Sequence, residues 1–126
     1  MSDIARWSVL VVEDEPDGQE VVAGILGHFN IQTDVAATGE DALTFLAQNH
    51  YDAAIIDLAL PGINGIELLR AIRRNPETMQ LPCIAVTAYH SAMVKKQALE
   101  AGCNAFVAKP LDDRYFVSEL ERVINE

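Results

Sequence analysis

Five polar residues stand at or directly after the ends of short apolar runs, where strands are expected to finish. Glu13 and Asp14 follow the first run, Asp57 comes late in the third, Thr87 ends the fourth, and Lys109 follows the fifth. Carboxylates, a hydroxyl and an ammonium group are together able to hold a hard cation and to handle a phosphoryl group. These residues therefore offer oxygen ligands, a nucleophilic carboxylate and positive charge.

Each of these residues has an ordinary explanation when taken alone, since acids cap helices and threonine suits strands. Carboxylates about 4 Å apart, however, repel by about 4 kcal/mol per pair at an effective dielectric of about 20, so a cluster of them needs a compensating cation. Lys109 supplies only one positive charge. A hard ion such as Mg²⁺ fits such a site, where Asp57 can act as a nucleophile toward phosphorus while Thr87 and Lys109 stabilise charge on the phosphoryl oxygens.

The elements that must position these residues alternate along the chain. Short apolar runs predict strands over residues 8–12, 33–36, 53–58, 83–87 and 105–108, and each is followed by apolar residues at helical spacing. Strict alternation predicts an α/β fold: a doubly wound (βα)5 arrangement with a five-stranded parallel sheet and helices on both faces. Binding sites in such sheets lie beyond the carboxyl ends of the strands, where the five polar residues are expected to meet.

Local signals mark where the helices begin, end and face the core. Thr38 and Ser91 are suited to cap the starts of the second and fourth helices, and Gly102 to end the fourth. Trp7 is expected to pack on an edge of the sheet. The first helix is expected to turn five apolar residues inward: Val21, Val22, Ile25, Leu26 and Phe29.

Composition limits the possible functions. The chain has 126 residues, of which half are hydrophobic, and a net charge of −10, so it is expected to form one globular domain over residues 1–126 and to avoid nucleic acid and anionic membranes. No apolar run approaches the roughly 20 residues that cross a bilayer. The first residues carry no basic segment followed by an apolar stretch, which favours a cytoplasmic protein. Cys83 and Cys103 are expected to be buried, inert thiols.

The motifs at the strand ends resemble those of the response-regulator receiver domain, the CheY-like family of two-component signalling. The resemblance extends from Val9 to Ile124 and implies a flavodoxin-like sheet with strand order 2-1-3-4-5. It rests on an ordered set of motifs: Glu13-Asp14 after the first strand, Asp57 followed by Leu60-Pro61-Gly62 and Gly65, Thr87-Ala88, and Lys109-Pro110.

The resemblance assigns a role to each acid. Asp57 would accept a phosphoryl group from a sensor histidine kinase or a histidine phosphotransfer protein. Asp14 and Asp57 would bind Mg²⁺ or Mn²⁺ directly, with Glu13 acting through water and the Ala59 backbone carbonyl completing the protein ligands. The domain would then be a switch that transfers the phosphoryl group to itself and loses it slowly, not a turnover enzyme.

The same resemblance predicts how phosphorylation is read. Thr87 and Lys109 would each bond a phosphoryl oxygen, the Lys109-Pro110 peptide would be cis, and Phe106 would be the aromatic switch residue, although an ordinary core phenylalanine is the alternative. A downstream protein would dock on the face formed by the fourth helix, fifth strand and fifth helix. The chain would be a monomer or a weak homodimer, and its kinase would be selected around the first helix, with Asp17 and Gln19 as candidates.

Three residues depart from the family pattern or modify it. Glu13 stands where many members have Asp, which leaves its reach to a metal open. Ala59 offers no side chain to a hydrolytic water, and the ring of Tyr89 could screen the site. The phosphoryl group is therefore expected to persist.

Three other functions could use a similar alternation of strands and helices or a similar strand-end aspartate. An FMN carrier needs a phosphate loop at a helix N-terminus, where this chain has the repelling acids 13–15. A phosphatase of the haloacid-dehalogenase type needs Asp-x-Asp, but position 59 is Ala. A receiver-like module that binds its partner regardless of phosphorylation remains as the alternative.

Overall fold

Strands and helices alternate throughout the computed structural model, which describes residues 6–126. The strands are β1 (Ser8–Val12), β2 (Gln32–Ala36), β3 (Ala53–Asp57), β4 (Cys83–Thr87) and β5 (Ala105–Ala108). The helices are α1 (Pro16–His28), α2 (Gly39–Gln48), α3 (Gly65–Arg74), α4 (Ala92–Ala101) and α5 (Asp113–Asn125). All strand pairs are parallel, in the order β2-β1-β3-β4-β5, which confirms the predicted α/β fold and its topology. Residues 1–5, to which the prediction of no basic and apolar leader applies, lie outside the described part.

Two hydrophobic cores, one on each face of the sheet, hold the layers together. Alternate strand residues point to opposite faces, so Val9 and Val11 of β1 enter one core while Leu10 and Val12 enter the other. The first core is completed by α1 and α5, and the second by α2, α3 and α4. Every residue of β3 and β4 is buried, as expected for central strands covered on both faces.

The helix boundaries follow the capping signals in the sequence. The side-chain oxygens of Thr38 and Ser91 accept hydrogen bonds from backbone N–H groups in the first turns of α2 and α4, as predicted. Gly102 takes the left-handed conformation, with φ of 114°, and ends α4. A reciprocal capping box, formed by Asn64 and Glu67, starts α3.

Several predictions of detail were wrong. Val21 is 54% exposed, because it neighbours Val22 on the helix and the two cannot both face the sheet. Trp7 is buried in the core formed with α1 and α5, not packed on an edge. β2 begins at Gln32, one residue before its predicted start, and β3 ends at Asp57, one residue before its predicted end, although Leu58 N–H still donates to the Val86 carbonyl.

Within residues 6–126, no helix is long and apolar enough to cross a membrane.

Arg73 joins three segments at the end of the molecule opposite the five polar residues. Its Nε donates to the Gly102 carbonyl at 2.9 Å, one terminal nitrogen donates to the Leu81 carbonyl at 2.7 Å, and the other donates to Asn104 Oδ1 at 2.9 Å. The guanidinium therefore ties the end of α3 to the loops that enter β4 and β5. Planar guanidinium geometry suits this set of acceptors better than a lysine ammonium does.

Arg73→Ala is expected to lower the free energy of unfolding by about 2–3 kcal/mol, because the charged hydrogen bonds to backbone carbonyls are lost together. The neighbouring, exposed Arg74 provides a matched control, and Arg74→Ala is expected to stay within about 0.5 kcal/mol of the wild type. Denaturant titration of both variants measures the difference. Equal stabilities would show that the Arg73 hydrogen bonds contribute nothing.

The two cysteines are buried free thiols, as predicted. Burial raises the pKa of Cys83 to about 12 and also raises the pKa of Cys103. Since the thiolate is the reactive form, the native protein at pH 8 is expected to react with a thiol-specific disulfide reagent about 100-fold more slowly than the denatured chain. Rapid modification of either thiol in the native protein would contradict this expectation.

Candidate functional site

Glu13, Asp57, Thr87 and Lys109 lie together at the carboxyl edge of the sheet, and Asp14 follows Glu13 in the β1–α1 loop. Asp57 ends β3 opposite Val86 of β4, and Thr87 ends β4 opposite Ala108 of β5. Two backbone hydrogen bonds hold the residues that follow the strands: Glu13 N–H donates to the Ala36 carbonyl at 3.0 Å, and Lys109 N–H donates to the Thr87 carbonyl at 2.9 Å. The parallel topology thus brings residues almost a hundred positions apart to one edge.

Lys109 is the centre of the site. Its Nζ donates to Asp57 Oδ2 at 2.6 Å and to Glu13 Oε1 at 2.7 Å, so one ammonium is shared between two carboxylates. Burial by itself would lower the pKa of Lys109, but the hydrogen bonds to Asp57 and Glu13 raise it above its usual value. Lys109 is therefore a fixed positive charge at neutral pH. The Lys109-Pro110 peptide is cis, as predicted.

Glu13 is the most deeply buried acid of the group, with only 2% of the residue exposed. Its burial raises the pKa of the carboxyl, against the opposing effect of the Lys109 hydrogen bond, and nearby Asp57 raises the pKa further. Its second oxygen, Oε2, accepts a hydrogen bond from Glu15 N–H at 3.2 Å. Both oxygens of Glu13 are therefore engaged by the protein.

Asp57 is 6% exposed and is held from two sides. Besides Lys109 on Oδ2, its Oδ1 accepts a hydrogen bond from Ala59 N–H at 2.8 Å. The following loop packs closely, since a Cβ on Gly65 would lie 2.6 Å from the Asp57 carbonyl oxygen. Glycine at the start of α3 is thus what allows the helix to begin against the end of β3.

Thr87 is buried beside Asp57's strand, and its Oγ1 accepts a hydrogen bond from Tyr89 N–H at 3.0 Å. A hydroxyl also carries one donor, which suits it to a phosphoryl oxygen. Tyr89 is 78% exposed, and the screening of the site by its ring stays a prediction.

Phe106 is half-buried and packs against the core beneath α4. It also lines a shallow groove of about 470 Å³ between α4 and α5, together with Lys95, Pro110 and Tyr115. This groove lies on the face predicted to contact a downstream protein. Phe106 therefore connects the interior of the domain with that face.

The site can be compared with the needs of a hard cation. Within residues 6–126, no three Asp, Glu, His or Cys side chains form a ready-made metal cage, since Glu13 and Asp57 both turn toward Lys109. The donors are nonetheless all oxygen, and Glu13, Asp14, Asp57 and Lys109 carry a net charge of −2 when all are ionised. Mg²⁺ retains several waters and needs only one or two carboxylates, so the residues fit it.

Two residues of α1 reach this site without having been placed there from the sequence. Gln19 Nε2 donates to the Glu13 carbonyl at 2.7 Å, so this side chain is committed to the β1–α1 loop. Gly18 lies against the Glu13 side chain. No spacing rule links a helical glycine to the side chain of a loop residue five positions earlier, so only the folded structure shows this contact.

Comparison with known proteins agrees with this geometry. A family model for the response regulator receiver domain matches residues 9–121. The response regulator protein PilR of Pseudomonas aeruginosa is 36% identical over 110 residues, which are 86% of this chain but 24% of PilR. This chain therefore spans about a quarter of that relative.

Solved structures give the same result. The receiver domain of sensor histidine kinase PA1611 from Pseudomonas aeruginosa, with a magnesium ion coordinated in its active-site cleft, has a TM-score of 0.89 at 30% identity, covering 95% of this chain and 98% of that one. The signal receiver domain of a signal transduction histidine kinase from Syntrophus aciditrophicus has a TM-score of 0.87 at 28% identity. The match covers 94% of this chain and 90% of that one. The chain therefore belongs to the response regulator receiver domain family of two-component signalling and has its CheY-like fold.

Proposed function

We propose that this domain is a phosphorylation-dependent switch in which Asp57 accepts a phosphoryl group from a phosphohistidine on a sensor histidine kinase or a histidine phosphotransfer protein. The observation that carries the proposal is the shared ammonium of Lys109, which lies 2.6 Å from Asp57 at the carboxyl edge of the sheet. A buried carboxylate beside a fixed cation can attack phosphorus while the cation receives the charge of the phosphoryl oxygens.

The bond that forms and the bond that breaks in the transfer both belong to the two proteins. An Asp57 oxygen forms the new P–O bond as the P–N bond of the phosphohistidine breaks, and the electron pair of that bond returns to the imidazole nitrogen. Lys109 then pairs with one phosphoryl oxygen, and the Thr87 hydroxyl donates to another. The phosphoryl group ends on the domain's own side chain, so the reaction is a single transfer followed by slow hydrolysis and not enzymatic turnover.

Asp14 and Asp57 would hold Mg²⁺, or Mn²⁺, with the Ala59 carbonyl as a third protein ligand and Glu13 acting through water. When bound by these residues, the ion would supply positive charge to offset the negative charge on the phosphoryl oxygens. The all-oxygen donors and the net negative charge of the cluster support this assignment.

Readout would pass through Thr87 and Phe106. In this proposal Thr87 turns toward the phosphoryl group, the ring of Phe106 moves inward, and the groove between α4 and α5 changes shape. A downstream protein would dock on the α4–β5–α5 face. In this proposal residues 1–126 act as one receiver domain in the cytoplasm, as a monomer or weak homodimer, with no direct contact to nucleic acid.

Incubation of the folded protein with a small acyl-phosphate donor tests the proposal. Intact mass measurement is expected to show one phosphoryl group per chain when Mg²⁺ or Mn²⁺ is present, and none after chelation. Binding to a partner without any uptake of phosphoryl group, from this donor or from a phosphorylated kinase, would instead favour the phosphorylation-independent module.

A further inference from the structure

Gly18, the third residue of α1, is packed directly against the side chain of Glu13. An ideal Cβ built on Gly18 would lie 2.6 Å from Glu13 Cδ and 3.1 Å from Cγ, and would overlap Oε1. Real Cβ atoms do not approach other heavy atoms that closely, so any side chain at position 18 must displace the Glu13 carboxylate.

The backbone itself does not require glycine at this position. The glycines with positive φ in the described residues are Gly62 and Gly102, whereas Gly18 lies in regular helix. Alanine is the better helix former, so helix propensity by itself predicts that alanine at position 18 stabilises the protein. The three atoms nearest to a Cβ at position 18 all belong to the Glu13 side chain, so the space that Glu13 occupies opposes alanine here.

Hydrogen bonds hold Glu13 in its present position. Lys109 Nζ donates to its Oε1, Glu15 N–H donates to its Oε2, and Gln19 donates to its backbone carbonyl. The residue is almost completely buried. A displaced carboxylate therefore loses its hydrogen bond to Lys109, which leaves Lys109 paired with Asp57 alone.

We propose that Gly18 is a positioning residue for the phosphoryl site: its missing side chain provides the space in which the longer Glu13 carboxylate shares Lys109 with Asp57. Glu13 and Gly18 form a size-matched pair. The sharing leaves Asp57 less tightly bound to the ammonium and so more accessible to a cation. The inference rests on the proposed function, because it assigns Gly18 a role in preparing that site for Mg²⁺.

A double-mutant cycle tests the pair. The variants are Gly18→Ala, Glu13→Asp, their combination, and Gly24→Ala as a matched control in the same helix, where a Cβ would meet nothing within 4 Å. The readouts are the unfolding temperature in metal-free buffer and the Mg²⁺ dissociation constant from calorimetry, neither of which needs a phosphoryl donor.

Gly18→Ala is expected to lower the unfolding temperature by about 3–6 °C and to weaken Mg²⁺ binding about tenfold. Gly24→Ala is expected to leave Mg²⁺ binding unchanged and to raise or preserve the unfolding temperature. In the Glu13→Asp background the carboxylate is one methylene shorter and leaves the space beside position 18, so adding Gly18→Ala is expected to cause neither loss.

The inference is overturned if Gly18→Ala behaves like Gly24→Ala, or if its losses persist undiminished with Glu13→Asp. Should Gly18→Ala fail to fold, a folded double variant supports the pair, and a double variant that also fails to fold overturns it. If the effects of Gly18→Ala depend on Glu13 but the wild type takes up no phosphoryl group, the proposed function is contradicted and the Glu13–Gly18 inference is supported. If the wild type takes up the phosphoryl group but the effects of the two substitutions are independent, only the Glu13–Gly18 inference is contradicted.

Discussion

Asp57→Asn is expected to abolish Mg²⁺-dependent phosphoryl incorporation, because an amide is not a nucleophile toward phosphorus. Its Oδ1 can still accept the hydrogen bond from Ala59 N–H, so the loop is expected to remain in place. The variant is therefore expected to stay folded while the phosphoryl adduct disappears. Intact mass after exposure to the donor measures the loss, and circular dichroism confirms the fold.

The loop that enters β3 offers a control for Asp57→Asn. Asp52 precedes β3 at the opposite edge of the sheet, where its carboxylate accepts a hydrogen bond from Ser8 N–H at 2.8 Å. Asp52→Asn keeps an acceptor at this position and is expected to incorporate phosphate like the wild type. An adduct that survives in Asp57→Asn, or vanishes in Asp52→Asn, would contradict the assignment.

Lys109→Met is expected to slow phosphoryl incorporation about 100-fold or more, because the charge that stabilises the transferring group is removed while an unbranched side chain, one atom shorter, remains. The neighbouring acids remain, so Mg²⁺ is expected to bind about fivefold or more tightly, since a competing positive charge has left the site. A lower rate of phosphoryl incorporation together with a higher Mg²⁺ affinity would show that Lys109 stabilises the transferring group, whereas the acids bind the metal.

Stability provides a second readout for Lys109→Met. Glu13 and Asp57 would lose their shared counterion, and the free energy of unfolding in metal-free buffer is expected to fall by about 1–3 kcal/mol, less than for a fully buried pair because the Lys109 side chain is 25% exposed. Added Mg²⁺ is expected to recover part of this loss.

Lys96→Met, at an exposed position of α4, is the control and is expected to change neither the free energy of unfolding nor the rate of phosphoryl incorporation. Unchanged incorporation in Lys109→Met would rule out the proposed role.

The sequence predicted the positions of the strands well because their apolar runs are short and are bounded by charged residues, glycine or proline. The segments between these runs carry apolar residues at helical spacing, which distinguishes them from strands. Once the alternation was recognised, the meeting of Glu13, Asp57, Thr87 and Lys109 followed from parallel topology. The order of the strands was not contained in that pattern and came from the resemblance to a known family.

Other features depend on side-chain packing in three dimensions. Helical periodicity defines a broad face, and it therefore could not decide which of Val21 and Val22 would be buried. The sharing of Lys109 between Glu13 and Asp57 depends on how far the longer Glu13 side chain can extend, which in turn depends on Gly18 of another element. Nothing in the local sequence encodes that distance.

The most direct test of the central claim identifies the residue that receives the phosphoryl group. Borohydride reduces an acyl phosphate to an alcohol, so a phosphorylated aspartate becomes homoserine, which fragment mass spectrometry can locate in the chain. After exposure to the donor and Mg²⁺, homoserine is expected at position 57 and at no other aspartate. Homoserine at Asp14, or a phosphoryl adduct that borohydride leaves unchanged, would contradict the account.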